Sequence, residues 1–72
     1  MNLRALRLFR QIVLTGSLAE ASERLNISAS AASRLITLLE DELDIQLFSR
    51  DRRRLELTEQ GDFFLSTSFS YT

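Results

Sequence analysis

Apolar residues recur at spacings of three and four along most of the chain. From Leu3 to Thr15, Ala5, Leu6, Leu8, Phe9, Ile12 and Val13 fall on one arc and Arg4, Arg7, Arg10 and Gln11 on the other, which predicts an amphipathic helix. Gly16 ends it, as a residue just past the last turn should. Ser17 and Glu20 then stand in the S-x-x-E order of a capping box: the hydroxyl accepts from the amide of Glu20, and the carboxylate reaches back to the amide of Ser17. A second helix therefore starts at about Leu18, with Leu18, Ala21, Ser22 and Leu25 as its packing face. Asn26 tolerates a left-handed backbone, Ile27 is a single apolar plug, and Ser28 caps the helix that follows. Two helices joined by about three residues, with a hydrophobe in a polar turn, have the outline of a helix-turn-helix.

At roughly 100° per residue, Ala31, Ala32, Leu35, Ile36, Leu39 and Leu43 gather on one side of the third helix, and Ala29, Ser30, Ser33, Arg34 and Thr37 on the other. That outer face is small and hydroxyl-rich. It suits close approach to a sugar-phosphate backbone, with hydroxyls and one guanidinium directed at phosphates or base edges. Taken alone, it suits an ordinary solvated surface equally well. Asp44 stands where the helix must stop, and Ile45 and Phe48 are core candidates. Arg54 to Leu57 then alternates polar and apolar, the period of a half-buried strand, with Leu47 to Arg50 as its partner. Between them lies Asp51-Arg52-Arg53. A two-stranded ribbon tipped with arginines is a wing, of the kind that enters a narrow minor groove or holds phosphates. Three arginines in a row are otherwise a solvated charge run; their place directly behind a helix-turn-helix favours DNA.

Composition removes several other classes. A chain of 72 residues makes one domain. It has no cysteine and no histidine, which excludes a disulfide framework, cysteine-rich zinc sites, thiol catalysis and a histidine-based triad. No apolar run approaches the roughly 18 residues of a membrane span, and Arg7 and Arg10 interrupt any secretory signal. The arginine-rich start also has the look of a transit peptide, but the core needs that helix. Net charge is -1, yet it is segregated: five Arg against two Glu in residues 1–39, four acids in residues 40–44, four Arg against one Asp in residues 45–54, and three acids thereafter. Such segregation puts a basic face on a near-neutral molecule. All nine basic residues are arginine, which favours bidentate phosphate or guanine contact, although a codon bias produces the same count.

The residues now reached carry a resemblance to a known family. Leu6, Phe9, Gly16, Ser17, Ala19, Ala21, Arg24, Leu25, Ser28, Ala31, Ser33, Arg34, Ile36, Leu39, Glu40, Leu43, Leu47, Phe48, Arg50, Arg53, Leu57, Thr58 and Gly61 stand in one ungapped run within Leu3 to Gly61. That run resembles the amino-terminal winged helix-turn-helix of the LysR-type transcriptional regulators. The resemblance implies a bacterial, cytoplasmic and nucleoid-associated DNA-binding regulator. Its fold would be mainly α: a three-helix core with a two-stranded β wing over residues 1–58 (helix-turn-helix 18–37, wing 47–57), then residues 59–72 as the start of a linker and dimerisation helix opened by Thr58. The expected DNA contacts are Ser28, Ala29, Ser30, Ser33, Arg34 and Thr37 on the helix in the major groove, Arg50 at a phosphate, and Arg52, Arg53 and Arg54 on the wing. The expected partners are double-stranded DNA and a second copy of the chain, with no membrane, no cofactor, no metal and no small-molecule effector site.

The chain departs from the family pattern at several places. Ala29 replaces a usual Gln and so lacks a base-reading amide, which shifts specificity toward methyl contact and DNA shape. Ser30 stands where Pro or Ser is usual, and Arg52 replaces a frequent Gly in the wing turn. Leu35 and Leu38 occupy usually polar positions, as extra core or as a patch that meets a partner. Asp44 replaces a Gly at the helix end, at a small strain cost if left-handed. Ser66 to Thr72 is rich in residues that disfavour helix interiors, so the fourth helix is expected to be short, and a naturally short relative is favoured over an excised piece. No enzyme reading survives: Glu40, Asp41, Glu42 and Asp44 point to different sides of a helix, and helix polarity disfavours acids there. Gly16 and Gly61 are isolated and make no phosphate loop. The expected function is sequence-specific DNA binding in transcription regulation. The alternative is a protein-interaction module, in which Leu35, Leu38 and the phenylalanines bind and modulate a full-length relative without DNA.

Overall fold

Side-chain caps open the first three helices, and a left-handed residue closes each of them. The computed structural model describes residues 2–49 and 56–68, which form α1 (Leu3–Thr15), α2 (Leu18–Arg24), α3 (Ala29–Leu43), β1 (Phe48–Ser49), β2 (Glu56–Leu57) and α4 (Glu59–Ser68). Asn2 Oδ1 accepts from the amide of Arg4 at 2.9 Å, Ser17 Oγ from Glu20 at 3.1 Å, and Ser28 Oγ from Ala31 at 3.1 Å. Each satisfies an amide that the helix itself leaves unpaired. The closing residues are Gly16 (φ 75°), Asn26 (φ 62°) and Asp44 (φ 57°).

At Asn26 the chain forms a full Schellman turn, with the Asn26 amide donating to Glu23 O and the Ile27 amide to Ser22 O, both at 3.0 Å. Asp44 repeats the pattern, its amide donating to Asp41 O at 3.3 Å and the Ile45 amide to Glu40 O at 3.2 Å. Asn26 thus reverses the chain between α2 and α3 and sets the angle of the helix-turn-helix.

The three helices pack pairwise around Ala5, Leu8, Phe9 and Ile12 of α1, Ala21 of α2, and Ala32, Ile36 and Leu39 of α3. Leu47 and Phe48 close this core from the entry to the wing. Phe9 meets Phe48 edge-on at a centroid distance of 5.5 Å and Phe64 of α4 at 5.6 Å, so one ring ties α1 to both β1 and α4. Aromatic pairs of this kind contribute about 0.5–1.5 kcal/mol beyond the area they bury. β1 and β2 are antiparallel, with Phe48 opposite Leu57 and Ser49 opposite Glu56.

Three local expectations change. The Ser17 amide donates to Thr15 Oγ1 at 3.3 Å and not to Glu20, so only half of the capping box forms. Thr15 lies nearer, and its hydroxyl also sits 2.8 Å from Gln11 O. Ala31, expected on the apolar side of α3, lies at the edge of that arc and is exposed. The described strand residues are Phe48–Ser49 and Glu56–Leu57; the rest of the expected ribbon, residues 50–55, lies outside the described residues. α4 runs on through Ser66, Thr67 and Ser68. Thr67 Oγ1 lies 3.0 Å from Phe63 O and 3.1 Å from Phe64 O, so its hydroxyl bonds back into the helix instead of competing with it.

Candidate nucleic-acid interface

The turn at Asn26 presents the first half of α3 to solvent. Ser28, Ala29, Ser30, Ser33, Arg34 and Thr37 are all exposed, on the side of α3 opposite Ala32, Ile36 and Leu39. The structure therefore brings together every expected contact on this helix. No acidic residue lies in the first turn of α3, and the first in the helix is Glu40, so the positive end of the helix dipole and the Arg34 guanidinium share this face. Small side chains around them allow a backbone or base edge to approach closely.

The hydroxyls on this face are not equivalent. Ser28 Oγ accepts from the amide of Ala31, which leaves its proton for an outside acceptor. Thr37 Oγ1 donates to Ser33 O at 3.0 Å, so its proton is spent inside the helix and it offers a methyl group and lone pairs. Arg50, Arg52, Arg53 and Arg54, expected on the wing, lie outside the described residues. β1 leads toward that segment and β2 returns from it.

Two residues that hold this arrangement were not legible as such in the sequence. Glu40 Oε2 accepts from the amides of Leu47 at 2.8 Å and Phe48 at 3.3 Å, joining α3 to the start of β1. That gives a reason for one of the four acids at the end of α3. The available signal was an acid placed one residue beyond Leu39, against the helix dipole. Gly61 is the second: a Cβ there would run into the carbonyl oxygen of Leu47, with further contacts at 3.1 Å to its C and Cα. Thr58 caps α4, Oγ1 accepting from Gly61 at 2.9 Å, and it also hydrogen-bonds Gln46 O and Leu47 O. Leu35 and Leu38 part company: Leu35 packs against the core, whereas Leu38 is exposed.

Among the described residues no group of three or more His, Cys, Asp or Glu is placed to hold a metal ion, and no helix is long and apolar enough to cross a membrane.

Comparison with known proteins gives this architecture its relatives. Residues 3–62 match the family described as bacterial regulatory helix-turn-helix protein, lysR family. The chain is 39% identical over 69 residues to an uncharacterized HTH-type transcriptional regulator in the ibpB-leuC intergenic region of Azotobacter vinelandii, covering 96% of this chain and 48% of that protein. It is 42% identical over 60 residues to the HTH-type transcriptional regulator CrgA of Neisseria meningitidis, covering 83% of this chain and 20% of that one. This chain thus spans from about half to a fifth of the length of these curated relatives. Among solved structures, the BenM DNA-binding domain in complex with benA site 1 DNA superposes with a TM-score of 0.88 at 39% identity, covering 96% of this chain and 78% of that one. With a match that runs from the start of α1 through the helix-turn-helix into the first turn of α4, the chain belongs to the lysR family of bacterial regulatory helix-turn-helix proteins.

Proposed function

We propose that this chain binds double-stranded DNA as the reading head of a transcription regulator, with the first half of α3 in the major groove. The observation that carries this reading is the face of α3 itself: Ser28, Ala29, Ser30, Ser33, Arg34 and Thr37 are all exposed, small or cationic, at the positive end of one helix. Such a surface fits phosphate and base-edge contact. The solved DNA complex of a relative supports it. The arginines at 50, 52, 53 and 54 would then meet flanking phosphates or the minor groove. A bacterial cytoplasm is the compartment that goes with such a ligand, and no catalytic role is assigned to any residue.

A two-fold DNA site calls for two reading helices, and α4 is the surface proposed to pair them. Leu43, Ile45, Phe63 and Phe64 line an apolar groove along it, and Phe63 is 71% exposed. The exposure of Phe63 and Leu38 also suits a module that docks on another protein without touching DNA.

A salt titration separates the two. Several phosphate contacts make the logarithm of affinity fall steeply with the logarithm of salt, by about 0.9 per phosphate. Tight binding to duplex DNA at low salt with such a slope is expected. No binding at low salt would leave the protein-docking reading in its place.

A further inference from the structure

We infer that Glu40 is a positioning residue: it fixes the base of the wing against α3 and so sets how many phosphates the wing reaches while α3 lies in its groove. The inference rests on the DNA-binding reading above and deepens it.

Among the described residues, the two sides of the wing pair Phe48 with Leu57 and Ser49 with Glu56. The direction in which they leave the core is set where they are rooted. Leu47, the last residue before β1, is fully buried, and its peptide groups are held from two sides. On one side, Glu40 Oε2 accepts the amides of Leu47 and Phe48 at 2.8 and 3.3 Å. On the other, Leu47 O accepts from the amide of Thr58 at 2.9 Å, just where β2 ends and α4 begins. The carboxylate therefore connects the fourth turn of the helix proposed to face DNA to the first residue of the wing without passing through the intervening chain.

Hydrogen bonds from amides to an ionised carboxylate are shorter and about twice as strong as neutral ones. An acid near the end of a helix runs against the helix dipole, and Glu40 is half-buried as well. Asp41 and Asp44 beside it are exposed. Both facts mark Glu40 as an acid with a task inside the fold.

The test uses the full 72-residue chain and a mixed-sequence duplex, on which binding reports phosphate contacts alone. Glu40→Ala should lower the salt slope by as much as the double variant Arg52→Ala/Arg53→Ala, about two units, and the triple variant should lose no more than either. Glu40→Gln, which keeps an acceptor oxygen, should recover more than half of the slope. A folded Glu40→Ala chain with the parental slope, or losses that add in the triple variant, would overturn the inference.

Amide exchange in the free protein reads the same role without DNA. The amides of β1 and β2 should open about tenfold faster in Glu40→Ala relative to those of α1 and α3, the effect of one charge-assisted hydrogen bond. A uniform change across all elements would reduce Glu40 to a general stabiliser and refute the positioning role. Should Glu40→Ala fail to fold, Glu40→Gln carries both measurements, with a partial loss supporting the role and no change refuting it. If the parental chain binds no duplex, the DNA reading fails, and the exchange pattern alone decides whether Glu40 places β1.

Discussion

Gly61, in the first turn of α4, lies against the backbone of Leu47 so closely that a methyl group at its Cα would collide with the Leu47 carbonyl oxygen. Two effects of Gly61→Ala therefore oppose each other. Helix propensity alone makes Ala better than Gly by about 0.8–1 kcal/mol in a helix interior. Overpacking against a rigid backbone atom costs about 1–3 kcal/mol, and Leu47 O cannot retreat because it also accepts from Thr58. The clash should win. Urea unfolding is expected to show a lower midpoint with an unchanged slope. A midpoint above that of the parent would show that α4 moves freely over Leu47.

Asp44 ends α3 in the left-handed region at φ 57°, and its charge sits at the negative end of the helix dipole. Both features cost stability, and two substitutions separate them. Asp44→Asn removes the charge while keeping a side chain that tolerates this backbone, with an expected gain of about 0.3–1 kcal/mol that high salt screens. Asp44→Gly also removes the backbone strain, offset in part by the greater freedom of glycine in the unfolded chain. Its melting temperature should exceed that of Asp44→Asn by a few degrees, at roughly 4–8 °C per kcal/mol for a chain of this size. Equal melting temperatures would mean that the strain relieved at this position is no larger than the freedom glycine adds to the unfolded chain.

The helices and the turn between α2 and α3 were legible because their signals are local. Ser17 and Ser28 cap helices that begin one residue later, Asn26 is left-handed as its side chain permits, and the apolar arc of α1 is the buried one. The outer face of α3 followed from the same periodicity. What the sequence concealed depends on residues that meet only after folding. Glu40 finds its partners seven and eight residues away, beyond a turn, and appeared as one position of the family run and one acid among four, with no partner indicated for its carboxylate. Gly61 appeared as an isolated glycine because its reason lies on another element. Thr15 takes the Ser17 amide expected for Glu20, a competition between two local partners that spacing does not rank. Thr67 carries α4 past the point where propensity alone would end it.

Arg34 is exposed on the face of α3 proposed to meet DNA, and its chemistry allows either a guanine edge or a phosphate. Arg34→Ala should cost about 1–3 kcal/mol of affinity for a duplex selected from a random pool. If Arg34 reads a base, binding to mixed-sequence duplex changes much less, and selection with the variant yields a relaxed consensus. If it meets phosphate, both duplexes lose affinity equally and the salt slope falls by about one unit. Unchanged affinity for both would remove Arg34 from the interface.

Phe63 is the large apolar residue of α4 that the fold leaves most exposed, beside a groove lined by Leu43, Ile45 and Phe64. In a monomer its replacement removes little, and exposed substitutions of this kind usually change stability by no more than about 0.5 kcal/mol. Across a two-fold interface each copy would bury its Phe63, a gain of about 1.5–3 kcal/mol per side chain. Phe63→Glu should therefore leave thermal unfolding of the monomer nearly unchanged while weakening self-association at least tenfold, since about 1.4 kcal/mol corresponds to a factor of ten. Sedimentation over a range of concentrations, with and without duplex, measures this directly. The variant should also lose more affinity for a two-fold site than for a half-site, because only the former needs two copies held together. Unchanged sedimentation of the variant would take the pairing surface away from α4, and the exposed ring would then be open to a different protein partner.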